Sequence, residues 1–236
     1  MTAAPAAPFP ELWRELPGEL AAALDPERPW DLLGAPLDRI LAALPDEAID
    51  IALDPRVHLA GVGIEICRGT RIAPGATIEG PVRIGRDCEI RTGAYLRGGC
   101  WLGDGCVVGA NVEVKRGVFL DGAKAPHLNY VGDSILGSGV NLGAGTVLSN
   151  FRHDGAEVRI PFGGRLISTG RRKLGALLGD GVATGCNSVL NPGTIVGART
   201  QIYTGAQLRS GVWPADSIVK LRQSLEVVSL ERETRA

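Results

Sequence analysis

His127 is one of three histidines in the 236-residue chain, and it falls inside KAPHLNYVGD, residues 124–133. An imidazole exchanges a proton near neutral pH, so a histidine among polar groups is a natural candidate for a general base. The formal net charge is −1 at pH 7, which leaves no electrostatic footprint for nucleic acid. Any anionic ligand must therefore be gripped by local basic residues. A metal centre is not expected: no CxxC pair occurs, and His58, His127 and His153 are too irregularly spaced to meet around one ion.

What must position these residues is a repeat of six. Ile66, Ile72, Ile78, Ile84, Ile90, Leu96, Leu102, Val108, Val114 and Leu120 follow one another at that interval, and Leu136, Leu142 and Leu148 resume it. A third run holds Leu178, Thr184, Leu190, Val196, Ile202 and Leu208, with one polar member. Glycine often comes next, as at Gly85, Gly103, Gly143 and Gly185. Such a period is neither helical nor a simple alternation. It fits a β-solenoid in which each hexad is one short flat strand and a corner, the aliphatic residue pointing inward. Cys88, Cys100 and Cys106 stand four residues after a repeat aliphatic and read as small buried fillers. The rhythm breaks between Leu120 and Leu136. Read as two hexads and four extra residues, the break predicts a loop over 121–135 that leaves the prism, a usual place for chemistry.

The flanks have another pattern. Leu12, Leu16, Leu20 and Leu24, then Leu33, Leu37, Ile40, Leu41 and Leu44, are punctuated by prolines and predict short amphipathic helices within a segment 1–60. Ile218, Leu221, Leu225 and Val228 predict a helix within 214–236. Both would cover ends or sides of a solenoid over 61–213, since terminal coils need caps. Residues 151–172 read as an inserted arm, with EVRI and RLIS as two strands around Gly163–Gly164. Its arginines either reach a phosphate or keep the arm soluble. The start, MTAAPAAPFPELW, has no secretory pattern, and no apolar run has spanning length, so a cytoplasmic location away from membranes is the expectation.

The [LIV]-G-x-x-x-x hexads resemble the left-handed parallel β-helix of hexapeptide-repeat acyltransferases. Within it, KAPHLNYVGDSILGSGVNLGAGTVLSN resembles the acetyltransferase half of the bacterial bifunctional N-acetylglucosamine-1-phosphate uridyltransferases, which carry H-L-x-Y-x-G-D, V-N-I-G-A-G-T and C-N-Y-D-G. The likeness covers roughly residues 70–220. AYLRGG (94–99) is similar to their A-R-L-R-P-G, and NVEVK (111–115) to F-V-E-M-K. The resemblance implies three hexads per coil, hence about six coils and a prism on the order of 30 Å long. It implies that His127 is the general base and that Glu113 orients its imidazole. Arg97 and Lys115 would hold a sugar phosphate, with Tyr130, Asn141 and Lys173 as further contacts. Asn150, Phe151, Cys186 and Thr204 would line the acetyl-CoA site. Each has a plainer reading beside this: Arg97, Lys115 and Glu113 as surface charges, Tyr130 as a rim aromatic, Asn141 as a corner residue bonded to backbone, and Cys186 as a small wall residue. Phe151 replaces the family's tyrosine and Cys186 its usual serine. The arm is longer than the family's connection, and the family's glycine-rich uridylyl-transfer start is not found, so no uridylyl transfer is expected.

The reading is a homotrimeric N-acetyltransferase that uses acetyl-CoA on an amino-sugar 1-phosphate, most simply glucosamine 1-phosphate, in nucleotide-sugar biosynthesis. Gly143 and Gly145 N–H groups are its candidates for stabilising an oxyanion. Two other readings stand beside it. One is an acyltransferase for a different phosphorylated or nucleotide sugar; the other is a non-catalytic β-helix subunit that partners a separate sugar nucleotidyltransferase.

Overall fold

The structure is a computed structural model that describes residue 9, residues 12–224 and residue 226. An aliphatic residue every six positions can turn inward only if the chain bends after each short strand. It does so repeatedly, building a parallel β-helix with a single apolar interior. We call its sides faces A, B and C. Face A runs through Ile64–Ile66, Val82–Ile84 and Cys100–Leu102 and on to Gly211–Trp213. Face B stacks eight strands, from Arg71–Ile72 to Ile218–Val219. Face C runs from His58–Ala60 to Gln207–Leu208. The eight-stranded face alone makes the stack longer than the six coils expected.

Where glycine follows the aliphatic residue, it has a steric reason. A Cβ on Gly85 would lie 2.5 Å from the carbonyl oxygen of Gly103, and one on Gly143 would lie 2.6 Å from that of Thr184. Cys88, Cys100 and Cys106 are fully buried fillers, as their register requires. Thr184, the polar member of the third run, is satisfied indoors: its hydroxyl lies 2.8 Å from that of Thr146 and accepts from Gly143 N–H at 3.0 Å.

The break is not a loop. Leu102 pairs with Phe119 and Phe119 with Leu136, so each of these coils is one residue shorter than the eighteen that separate Ile66 from Ile84. Phe119, not Leu120, is the inward residue; Leu120 packs in a second cluster outside face A. The missing residue is lost at the corner from C to A. Where an earlier coil turns through Gly98 and Gly99, the shortened ones turn through Arg116 (φ 50°) and Asp133 (φ 43°). The strands Glu113–Phe119 and Tyr130–Leu136 consequently run through that corner, each belonging to both faces. Lys124–His127 stays in the wall of face B. The four supposed surplus residues thus arise from reading two hexads, counted from Leu120, where a full coil of three hexads less one residue runs from Phe119 to Leu136.

Two boundaries also differ from expectation. Glu47–Ile49 and His58–Ala60 already pair into the stack, so the solenoid begins before residue 61. The helical part before it comprises α1 (Gly18–Ala23), a 3₁₀ turn over Pro29–Leu33 and α2 (Ala35–Ala42). Within the described part of 214–236 there is no helix: Ile218–Val219 adds a strand on Gln201–Ile202. Val219 lies over the inward Ile202, and apolar spacing on a solenoid end can imitate a helical stripe. Leu225 and Val228 of the expected helix lie outside the described residues.

The helices cover face A because its outward residues are also apolar. Trp101, Val118, Ile135, Leu177 and Ile195 stack in one ladder, all buried beneath Leu20, Trp30, Leu33, Leu37 and Leu41. Trp13 Nε1 donates to the Leu178 carbonyl at 2.9 Å and ties the N-terminal stretch to the same face. Residues Arg159–Phe162 and Arg165–Ser168 form an antiparallel hairpin around Gly163–Gly164. It folds back rather than projecting: Val158 and Ile160 are buried in the face A cluster, and Ser210 donates to the Arg159 carbonyl at 3.0 Å.

Candidate active site

Alternation along each short strand of face C sends the middle residue inward and its two neighbours outward. Tyr95, Glu113 and Tyr130 therefore share one outward ladder, and Glu79, Arg97, Lys115 and Gly132 share the next. Arg97 Nη1 donates to Glu113 Oε1 at 2.7 Å. That bond, ahead of the neighbouring charges, raises the guanidinium further above its ordinary value. Tyr95 Oη donates to Glu79 at 2.7 Å, which pushes its phenol up. Lys115 Nζ donates to Asp133 Oδ2 at 3.1 Å.

Asp133 lies at the shortened corner, 3% exposed. The same Oδ2 also accepts from Asn150 Nδ2, and Tyr130 Oη lies 3.4 Å from Asn150 Oδ1. Gly132 is small for cause: a Cβ there would meet the Asn150 amide and the Tyr130 ring. Burial first, then the charges of Glu113 and Asp133, hold the Tyr130 phenol above its usual value. The insertion is stitched shut beside this group. Phe151 and Lys173 form an antiparallel bridge, Leu174 N–H donates to the Asn150 carbonyl at 3.0 Å, and Gly175 N–H to that of Asp133 at 2.9 Å.

His127 ends face B and is exposed. Its backbone N–H donates to Asn129 Oδ1 at 3.1 Å, and its imidazole makes no hydrogen bond among the described residues. The expected carboxylate partner is absent from the ring: Glu113 belongs to the coil below, where Arg97 occupies its carboxylate. His127, Ala144, Cys186 and Thr204 form one column along the edge between faces B and C, each linked to the next through the backbone. Cys186 and Thr204 are exposed on it.

The fold thus gathers Arg97, Glu113, Lys115, Tyr130, Asn150, Phe151 and Lys173 on face C and its corner with A. It sets His127, Cys186 and Thr204 on the adjoining edge. Asn141 stands apart on face B, exposed and in register with Lys124 and Ala183. The N–H groups of Gly143 and Gly145 are both spent on the stack, bonding Thr184 and His127 carbonyls, and are not free to hold an oxyanion. Asp133 and Gly132 are the residues that sequence reasoning left without a role. Both stand in HLNYVGD, the only signal that pointed to them.

Residues 63–98 and 81–116 match the family described as bacterial transferase hexapeptide (six repeats). Those residues carry hexapeptide repeats. A bifunctional sugar-1-phosphate nucleotidylyltransferase/acetyltransferase of Sulfurisphaera tokodaii is 48% identical over 153 residues, 57% of this chain and 38% of that protein. A bifunctional protein GlmU of a Synechococcus species is 29% identical over 79% of this chain and 40% of its own length. One from Heliobacterium modesticaldum is 33% identical over 71% and 33%. The chain thus spans 33–40% of these relatives. A perosamine N-acetyltransferase from Caulobacter crescentus, solved with CoA and GDP-perosamine, aligns with 66% of this chain and 54% of its own at 16% identity. Its TM-score is 0.33, a likeness too loose to assign anything to this chain.

Proposed function

We propose that the chain is an acyltransferase that moves an acetyl group from acetyl-CoA to the amino group of an amino-sugar 1-phosphate, with glucosamine 1-phosphate as the first candidate. The observation that carries this reading is that Lys115 and Asn150 meet on the buried carboxylate of Asp133, with Tyr130 against Asn150 and Arg97 one coil below Lys115. Arg97 and Lys115 are vertical neighbours on one ladder, able to share an anionic phosphate as fork and point charge. Glu113 is assigned to holding Arg97, and Lys173 to the rim at the mouth of the insertion.

In the reaction, His127 takes the proton of the amine as its nitrogen attacks the thioester carbonyl. The C–N bond forms, the C–S bond breaks, and CoA leaves as a thiolate that gains a proton. Asn150 and Phe151 face the acyl end of the donor, with Cys186 and Thr204 along its length. Asn141 joins from the face B of a second copy, in the homotrimer that the resemblance implies. A cytoplasmic location accords with this chemistry, and a separate nucleotidyltransferase would use the product.

A second reading, a different phosphorylated or nucleotide sugar, draws on the open cleft of about 360 Å³ bounded by Phe151, His153 and Pro192 at the insertion's base. Thiol release measured with acetyl-CoA and a panel of amino-sugar phosphates and nucleotide sugars separates the two. Absence of turnover with every acceptor and acyl donor refutes both and leaves the non-catalytic subunit.

A further inference from the structure

A single oxygen joins the two halves of the proposed site. Asp133 Oδ2 accepts from Lys115, assigned above to the acceptor's phosphate, and from Asn150, assigned to the acyl donor. A buried carboxylate is costly to hold unless it is paired and hydrogen-bonded. Here both partners are proposed substrate contacts, one reaching from the coil below and one from the coil above.

The short corner does not itself call for a carboxylate. Arg116 makes the same left-handed turn one coil earlier, and its side chain points elsewhere, to the Leu33 carbonyl and Asp38. The acid at Asp133 therefore answers to Lys115 and Asn150 rather than to the backbone. Its main chain is pinned as well, since its carbonyl receives the Gly175 N–H where the insertion returns to the stack.

We propose that Asp133 is a positioning residue that holds Lys115 and Asn150 as one unit, registering the acceptor phosphate against the acyl donor. The proposal rests on the acyltransferase reading above. It implies coupling: an anion that draws Lys115 toward itself leaves Oδ2 to Asn150, so each ligand alters the affinity of the other by the same factor.

The test uses the full-length protein and the variants Asp133→Asn and Asp133→Ala, with folding followed by circular dichroism. Glucosamine 1-phosphate and CoA are titrated by calorimetry, separately and then each in the presence of the other. Asp133→Asn is expected to weaken both ligands about ten- to hundredfold, the scale of one lost charge-assisted hydrogen bond, and to abolish the mutual effect. KM for both substrates should rise alongside. Wild-type affinities in Asp133→Asn overturn the proposal, as does a lowered Tm with unchanged Kd values in the folded fraction. If Asp133→Ala does not fold, Asp133→Asn still decides, because its shape is conserved. Wild-type protein that binds neither ligand and turns over no acceptor overturns the acyltransferase reading, and the proposal with it; loss confined to the variant supports both.

Discussion

Replacing Gly132 by alanine adds one carbon at a crowded point of the candidate site. The backbone there does not adopt a positive φ, so alanine is conformationally allowed and the effect is steric. The new Cβ would stand 2.6 Å from Asn150 Nδ2, 2.7 Å from Asn150 Cγ and 2.8 Å from Tyr130 Cε1. Carbon contacts settle near 3.5–4.0 Å, so the amide must retreat by about 1 Å. That displacement breaks its hydrogen bond to Asp133, worth about 1.5–3 kcal/mol for a charged acceptor. With residual overpacking, the loss comes to about 2–4 kcal/mol. At about 2–4 °C per kcal/mol for a chain of this size, Tm falls by roughly 4–16 °C. Differential scanning fluorimetry reads the stability, and thiol release reads turnover, expected to drop about tenfold or more. Gly18→Ala is the control, because nothing lies within 4 Å of that position and it begins α1. A Gly132→Ala protein with Tm within about 1 °C and turnover within about twofold of wild type would refute the packing argument.

His127→Ala should lower turnover by about 10²–10⁴-fold while leaving Tm unchanged, because the ring is exposed and unbonded; wild-type turnover would make the histidine structural. Trp101→Ala empties a site that is 2% exposed beneath the N-terminal helices. It should cost about 3–5 kcal/mol and expose residues 12–44 to limited proteolysis, whereas an unchanged digestion pattern would mean that the helices dock without it. The raised phenol of Tyr130 sets an alkaline dependence. The folded state holds that proton more tightly than the unfolded one, whose value is about 10. Its share of stability is therefore full below that value and is lost as pH rises through the folded value. Tyr130→Phe should flatten this part of the decline in denaturant titrations above about pH 10; an identical slope would count against it.

How much could be read beforehand depends on the distance over which each feature is decided. The period of six is local, and it determined the β-helix, its inward residues as far as Val114, the glycines after them and the buried cysteines. It also marked the stretch that carries His127 and Tyr130. It could not tell a corner one residue short from a loop, because Phe119 and Leu120 are both apolar and adjacent. Only stacking on Leu102 and Leu136 makes Phe119 the inward one. The apolar ladder of face A was hidden for a similar reason: Trp101, Val118, Ile135, Leu177 and Ile195 become neighbours only after the coils are laid over one another. Residues 218–219 could belong to a helical stripe or to another coil, and pairing with Gln201–Ile202 decided for the coil. The site divides in the same way. The likeness of its motifs to a known family implied a phosphate grip and a base. That Glu113 serves Arg97, and that Asp133 joins Lys115 to Asn150, was decided by side chains 16–18 residues apart. In a β-helix that separation is one coil, so residues remote along the chain become stacked neighbours.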